Sequence, residues 1–511
     1  MPVRNTPPVP GTSAAPSCPV LICGAGPTGL VLALWLAKRN LPFRIIDKAP
    51  HAGAASRALV VQARTLEFYR QLGIDRAIVE HTRKIDHLRL WVRQREVGTV
   101  FFGREATNIS AFANFYVYPQ DEHEAMLEKQ LLELGVAVER NTELLSFEET
   151  ADGIAALVKT SAGITSAIQA SYIAGCDGIH SKVRETIGAN FPGGTYDPIY
   201  YVADIVASGP AINGFLNLAL DEADFLAVFP MAGEGRVRLV GTVDSEQPDR
   251  KLEWGDVSRD ILHRLQIDVK TVNWFSTYRV HHRVSSFFRK GRAFLCGDAA
   301  HVHSPVGGQG MNTGIGDAVN LAWKLDAVLN HGAPETLLDT FEQERIPFAH
   351  SLVNTTDRVF TFVNKRSKLA SFVRTRIVPV IMPRLFKRAA IRRAAFRLVS
   401  QTRIRYPKSN LSEGAADYLY GGDRLPWLPQ QDNYAPLGID WQLHCYGPVT
   451  DPIAQWAKSN GIPIHNFAPD DTIRRDTLCL IRPDGYIGWI GNPAGLDGLT
   501  RYANRWRLTQ H

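Results

Sequence analysis

Gly24, Gly26 and Gly29, in the run GAGPTG, follow a short apolar segment and open a helical one. Glycines at this spacing leave backbone N–H groups bare at a helix N-terminus. Those donors and the positive end of the helix dipole together hold a pyrophosphate. Pro27 and Thr28 complete the turn. Asp47, about 20 residues on and followed by Lys48, stands where a carboxylate takes the hydroxyls of an adenosine ribose. The fingerprint occurs once, so one dinucleotide is expected to be held firmly. A second constellation, GCDG at 175–178 running into SKVR at 181–184, carries little alone. The third and most specific is GRAFLCGDAAHVHSPVGGQGMNTGIGDAVNLAWKL at 291–325. Asp298 ends a strand there, where its carboxylate can bind the hydroxyls of a ribityl chain. Gly307, Gly308 and Gly310 let backbone approach a flat ring. The helix expected after Asn312 aims its N-terminus at that ring, where N–H donors and the dipole stabilise the negative charge of a reduced flavin. His301 and His303 flank this loop and are expected to be hydrogen-bonded structural residues rather than bases.

The elements that must position these residues are legible from periodicity. Residues 19–23 form a short apolar strand, 30–38 a buried helix and 43–46 a second strand, a βαβ unit of about 30 residues. Helical spacing returns at 64–72 and 122–134, and 171–176 reads as another buried strand. From 200 to 243 the texture changes to alternating stretches, such as 225–231 and 237–243, which imply an inserted and mostly antiparallel sheet. A buried strand resumes at 292–296 and feeds a helical pattern over 317–329, so the first domain is discontinuous. Gly, Pro and Asp enrichment in GGDRLPWL, at 421–428, marks a boundary to a small C-terminal domain.

Composition narrows the classes. The chain has 511 residues, 45% apolar and 21% charged, with no uncharged apolar stretch of about 18 residues to span a bilayer. Residues 1–17 are rich in Pro, Ser, Thr and Ala and are expected to form a disordered tail. Six scattered cysteines without a CxxC fit a reducing compartment, the cytoplasm, and neither a metal site nor a disulfide framework. No Asp or Glu lies between Arg358 and Ser412, and residues 365–408 hold 14 Lys and Arg; subtracting these from the net +6 leaves −8 elsewhere. A solvated helix face is the expectation for that stretch. Neither nucleic-acid binding nor membrane association is expected of it.

GAGPTGL, GCDG with SKVR, and CGDAAHVHSP, GGQGMN and DAVNLAWKL, in this order and spacing, resemble the flavoprotein aromatic hydroxylases related to para-hydroxybenzoate and phenol hydroxylases, over roughly residues 19–400. GGDRLPWL and LIRPDGYIGWIG, at 480–491, resemble the thioredoxin-like C-terminal domain of the phenol-hydroxylase branch. The resemblance implies that Arg57 and Gln120 contact FAD near the pyrophosphate and ribityl. It implies that Asp177 belongs to a motif serving both FAD and the nicotinamide cofactor. Pro305, Gly310, Met311 and Asn312 would line the isoalloxazine through their backbones, and Phe225, Phe229 and Pro230 would lie on a strand facing the substrate. Two positions depart from the family: Asp47 stands where Glu is frequent, and Gly488 where Ala is common. Without a CxxC the C-terminal domain is expected to have no redox chemistry of its own.

The expected fold class is α/β with an α+β insert. A Rossmann-like FAD-binding domain is expected from 18–190 and 285–400, a substrate-binding sheet domain from 191–284 joined by strands near 85–118, and a thioredoxin-like domain from 415–511. By resemblance, NADPH or NADH reduces the FAD, molecular oxygen forms a flavin C4a-hydroperoxide, and an aromatic substrate, phenolic or polycyclic, is hydroxylated. No side chain is singled out as a general base. An FAD-dependent reductase or dehydrogenase without oxygen insertion, and a flavin-binding protein without turnover, are the alternatives. A halogenase would carry a WxWxIP motif, which the sequence lacks. A homodimer is the family expectation.

Overall fold

The computed structural model describes residues 17–53, 58–92, 95–101, 106–220, 225–243, 252–305, 307–364 and 367–508. The chain opens with β1 (Ser17–Cys23), α1 (Pro27–Lys38) and β2 (Phe43–Ile46). Val20, Leu21, Ile22 and Cys23 are all buried, because a parallel sheet is covered on both faces and its strands need no polar side. The helix α1 is buried from Gly29 through Leu36 on one side of the sheet and packs on α2 (Gln120–Glu133). Next comes β3 (Thr165–Gly175), parallel to β1 with Gly175 opposite Cys23, while Ile46 of β2 flanks Cys23 on the other side. Three strands therefore end level, and the loops leaving them open along one edge, the place where such sheets bind ligands.

The chain then leaves this sheet for a second one, built on β4 (Gly193–Ser208), β5 (Phe225–Pro230), β6 (Arg236–Val243) and β7 (Asp268–Val284). Their spatial order is β7, β4, β6, β5, all antiparallel neighbours. Leu216–Leu220 continues the sheet beyond β5 and pairs in parallel with His87–Val92, and Arg95–Phe101 forms the far edge. Alternation sorts the side chains. Ala203, Ile205, Leu226, Val228, Val237 and Leu239 bury against Ile261 and Leu262 on one face, so Asp204, Phe229 and Arg238 share the other.

The return strand β8 (Ala293–Leu295) lies parallel to β3 and leads into α3 (Gly310–Leu329), buried from Asn312 to Asp326 and packed on α1. The helix starts seven residues before its predicted pattern. Gly310, Gly314 and Gly316 hide the period, and Gly314 is demanded by packing: a Cβ there would lie 2.3 Å from Thr28 Oγ1, while one on Gly316 would crowd Arg345 at 3.1 Å. After α4 (Thr336–Asn364), helix α5 (Val378–Leu385) packs on the second sheet at Arg95–Phe101, and α6 (Ala389–Val399) returns to the main core through Phe396. The C-terminal unit sets Gln442–Tyr446 parallel to Ile464–Phe467 and antiparallel to Thr477–Ile481, which pairs with Ile487–Gly491. Its core joins that of α3 through Trp323, edge-on to Trp441 at 5.6 Å. Among the described residues no helix is long and apolar enough to cross a membrane.

Candidate cofactor and active site

The three fingerprint glycines do three different things. Gly24 has φ +100°, and a Cβ there would sit 2.3 Å from the Cys176 carbonyl oxygen, so the β1 loop can cross the β3 loop only as glycine. A Cβ on Gly29 would lie 1.9 Å from the Gly24 carbonyl oxygen, which fixes how tightly the turn closes. A Cβ on Gly26 would meet nothing within 4 Å. Gly26 is also the N-cap of α1 and Pro27 its first residue, and among the described residues no side chain caps the first turn. An open space beside uncapped donors on a twelve-residue helix is an anion cradle. Thr28 is wedged between two later segments, since a Cβ on Gly297 would come within 2.6 Å of its Oγ1.

Asp47 leaves the end of β2 with both oxygens oriented by backbone: Ala25 N–H donates to Oδ2 at 2.6 Å and Ala49 N–H to Oδ1 at 2.7 Å. Lys48 beside it is exposed. Arg140, which the sequence reading passed over, lies 3.9 Å from Asp47 and is held by Glu128 at 2.6 Å. The first turn of α2 grips both flanks of residues 54–57. Ala58 N–H donates to Gln120 Oε1 at 3.1 Å, Gly53 N–H donates to Glu124 Oε2 at 3.0 Å, and Gln120 Nε2 donates to Glu124 Oε1 at 2.7 Å. Arg57 itself lies outside the described residues. Burial raises the Glu124 carboxyl above its ordinary pKa.

Beside the Gly24 loop, Asp177 follows β3 and its Oδ2 accepts the N–H groups of Lys182 at 2.7 Å and Val183 at 3.2 Å. Burial raises its pKa. Asp298 is exposed in a single 3-10 turn, Gly297–Ala299. That turn is anchored from behind by Asp317, whose Oδ2 accepts from Gly297 N–H at 2.9 Å and meets His301 Nε2 at 2.7 Å, and whose Oδ1 accepts from Arg345 Nε at 2.6 Å. Burial pushes the Asp317 carboxyl up, but Arg345 and His301 hold it below its ordinary value. His301 is thereby committed to the scaffold.

The glycine loop follows. Gly307 and Gly308 have φ of +78° and +61°, and a Cβ on Gly308 would sit 2.9 Å from Val60 Cβ. The Pro305 carbonyl accepts Gly308 N–H at 3.0 Å. Asn312 spends its whole side chain on the scaffold: Nδ2 donates to the carbonyls of Val60 and Gly308, both at 2.8 Å, and Oδ1 accepts from Gln62 N–H at 2.9 Å and Thr65 Oγ1 at 2.7 Å. Met311 packs half-buried on the main core. No side chain caps α3 at Gln309. Two buried atoms beside the loop, His303 Nε2 and Ser304 Oγ, have no hydrogen-bond partner among the described residues, and burial draws the His303 pKa down to about 4. Uncapped donors plus unpaired polar atoms around a glycine turn fit the polar edge of a flavin ring, as the cradle at Gly26 fits its pyrophosphate.

Phe229 is half-buried and packs against the apolar cluster of Leu59, Ile85 and Val117; Val60 packs against the same cluster and also lies under the Gly308 turn. Its register partner on β6 is Arg238, 1% exposed and paired bidentate with Asp204 at 2.5 and 2.7 Å. An arginine inside the apolar run of β6, two residues after the Arg236 that opens the strand, was the available signal for this pair. Pro230 points the other way and lines a separate cleft of about 360 Å³ with Arg83, Asn213 and Met231. Strand alternation thus separates two of the three residues expected together, while the side chain of Phe225 lies outside those described.

Comparison with known proteins accords with this geometry. A profile of the FAD binding domain family matches residues 17–356. The sequence is 34% identical to 6-methylpretetramide 4-monooxygenase of Streptomyces rimosus, over 94% of this chain and 92% of that enzyme. It is 30% identical to pentachlorophenol 4-monooxygenase of Sphingobium chlorophenolicum, over 70% of this chain and 67% of the other. The solved OxyS anhydrotetracycline hydroxylase from Streptomyces rimosus superposes with a TM-score of 0.76 at 27% identity, covering 96% of this chain and 99% of that one. The flavin-dependent monooxygenase PieE, solved with FAD and substrate, shares the fold at a TM-score of 0.80 and 21% identity, over 96% and 99% of the two chains. With a matched FAD-binding domain over most of its length and aromatic-compound monooxygenases among its relatives, the chain belongs to the family of flavin-dependent aromatic hydroxylases.

Proposed function

We propose that the protein is an NAD(P)H-dependent FAD monooxygenase that places one oxygen atom of O2 on a phenolic or polycyclic aromatic ring and releases the other as water, the nicotinamide supplying two electrons. The observation that carries this reading is the meeting of three surfaces at Val60: the uncapped N-terminus of α3, the Gly307–Gly308 turn and the apolar face bearing Phe229. Bound flavin would supply the oxygen activation, at its C4a edge. The chain's own residues do the positioning. The N-terminus of α1 with Gly26 holds the pyrophosphate, Asp47 the ribose and Asp298 the ribityl chain. The N–H groups opening α3 stabilise negative charge at the pyrimidine edge, and Phe229, Leu59 and Ile85 exclude water from the ring to be hydroxylated.

Whole-length likeness to enzymes named for 6-methylpretetramide and anhydrotetracycline supports a substrate of several fused rings over a simple phenol. The Arg238–Asp204 pair offers such a substrate a polar anchor on an otherwise apolar face. For the nicotinamide cofactor, Arg279, His281 and Arg283 alternate along β7 near His180 of the Asp177 loop. Burial and the charges of Arg283, His180, His282 and Arg279 lower the His281 pKa, a cationic setting suited to dinucleotide phosphates. The thioredoxin-like reading of the C-terminal unit is supported by its parallel pair followed by a hairpin and a helix.

The test is product analysis under 18O2 with purified, FAD-loaded protein, following NADPH and NADH oxidation over a panel of polycyclic and simple phenols. Substrate-stimulated oxidation with one 18O in the product establishes the hydroxylase. Oxidation without label assigns a reductase instead.

A further inference from the structure

Residues 368–385 form one continuous helical rod, from Lys368–Phe372 through a π turn at Val373–Ile377 into α5. Its inner side is occupied. Val378, Met382 and Phe386 pack on Leu88, Leu90, Val92 and Val100, together with Leu216 and Leu218; Leu216 also belongs to the cluster that holds Phe229 and Val60. The following helix α6 brings the Phe396 ring to 6.3 Å from Phe115, and the Val399 carbonyl accepts from Gln309 Nε2 at 2.6 Å. This segment is therefore a wall of the chamber beside the flavin loop.

The outer side of the same rod carries Leu369, Phe372, Val380, Ile381 and Leu385, between 42% and 74% exposed, with exposed Arg376 and Arg384 among them. A face turned to water is ordinarily polar, and contiguous exposed apolar residues mark a surface that binds something. Its charge says what. The surrounding stretch from Arg358 to Ser412 is rich in Lys and Arg and contains no carboxylate. A second copy docking about a two-fold axis would set this patch against itself, arginine facing arginine with no acid to relieve it. Anionic lipid satisfies both halves of the patch: apolar side chains enter the headgroup and acyl boundary while guanidinium groups meet phosphates.

We propose that this face seats the enzyme on an anionic bilayer surface. Resting on the hydroxylase reading, the seat also sets the chamber wall against the layer in which a polycyclic aromatic substrate dissolves. The lipid contact itself does not depend on that reading.

The experiment is flotation of the FAD-loaded, full-length protein with vesicles of phosphatidylcholine alone or mixed with phosphatidylglycerol, across a salt series. Binding to the mixed vesicles only, weakening as salt rises, is expected. Arg376→Gln with Arg384→Gln should weaken it about fivefold per arginine. Leu369→Ser with Phe372→Ser should abolish it while leaving the flavin spectrum and the unfolding midpoint unchanged. Failure to float with mixed vesicles at low salt overturns the proposal, as does equal flotation of the Leu369→Ser and Phe372→Ser variant. A solution dimer that the same substitutions dissociate would assign the patch to a second copy instead. Product analysis under 18O2 is unaffected by any of these results, so failure here and failure of the hydroxylase reading are distinguishable.

Discussion

Gly26→Ala separates cofactor binding from folding. Gly26 sits at φ −75° and ψ −176°, extended backbone that alanine adopts without strain, and the added methyl meets no protein atom within 4 Å. Two small effects on folding oppose each other. Alanine is a poorer N-cap than glycine by about 0.5–1 kcal/mol, and loss of glycine's freedom in the unfolded chain returns about 0.4–1 kcal/mol. The apoprotein should therefore unfold within about 0.5 kcal/mol of the parent. The methyl instead occupies space that a pyrophosphate must enter to reach the N-terminus of α1. Overpacking of about 1–3 kcal/mol weakens FAD binding roughly 5- to 150-fold. Flavin-fluorescence titration of the apoprotein measures the second quantity and denaturant unfolding the first. Gly24→Ala is the contrast: at φ +100° and 2.3 Å from the Cys176 carbonyl oxygen, it should destabilise the apoprotein itself. A Gly26→Ala protein that binds FAD like the parent would refute the cradle.

Asp317→Asn replaces a buried anion with a group whose amide confronts Arg345. Removing one partner of such a pair costs about 3–5 kcal/mol, and double replacement by Asp317→Leu with Arg345→Met should cost less; a double-mutant cycle on unfolding reads the difference. Asn312→Ala strips four hydrogen bonds, three to residues 60–65 and one to Gly308 of the glycine loop, and should lower FAD affinity and thermal stability together, by calorimetry and flavin titration. His123 and His444 are buried, with pKa values brought down to about 3. The unfolded chain takes up protons at these sites below about pH 6.5 while the folded one does not. Stability should therefore fall as pH drops from 6.5 toward 3, and His444→Gln should flatten part of the slope; a midpoint that rises between pH 6.5 and 5 would contradict this. Phe229→Ala should raise the KM for an aromatic substrate and increase NAD(P)H consumption per product formed, while leaving FAD affinity unchanged.

What the sequence made legible divides along local and non-local lines. The βαβ unit could be read because its signals are contiguous: a buried strand, glycines at fixed offsets, a buried helix and a terminal Asp47. Over the first seven residues of α3 only the glycine motif placed the helix start, after Asn312, because Gly310, Gly314 and Gly316 erase helical periodicity. Gly314 exists for a packing partner, Thr28, that lies far off in sequence. Arg140 and the Arg238–Asp204 pair were missed for the same reason, since an arginine declares its partner only after folding. Phe229 and Pro230 are adjacent in sequence and were taken as one surface, yet a strand alternates, and only Phe229 shares the cluster with Val60.

The adjacent residues Glu344 and Arg345 show what the C-terminal unit does for a site it never reaches. Arg345 holds Asp317 and, through Nη1, Tyr406 at 2.8 Å, and so reaches the back of the 3-10 turn bearing Asp298. Glu344 accepts from Lys324 at 2.9 Å, from Ser409 at 2.6 Å and from Arg482 of the C-terminal sheet at 2.7 and 2.9 Å, with every side chain of the group buried. Burial lowers the Lys324 pKa to about 8 even against the pull of Glu344, a measure of how dry the junction is. Apolar residues of equal volume would hold two surfaces together as firmly, but they could slide. Directional hydrogen bonds among paired charges favour the register in which all of them are made, and a one-residue step along α4, from Glu344 to Arg345, connects that junction to the turn that carries Asp298.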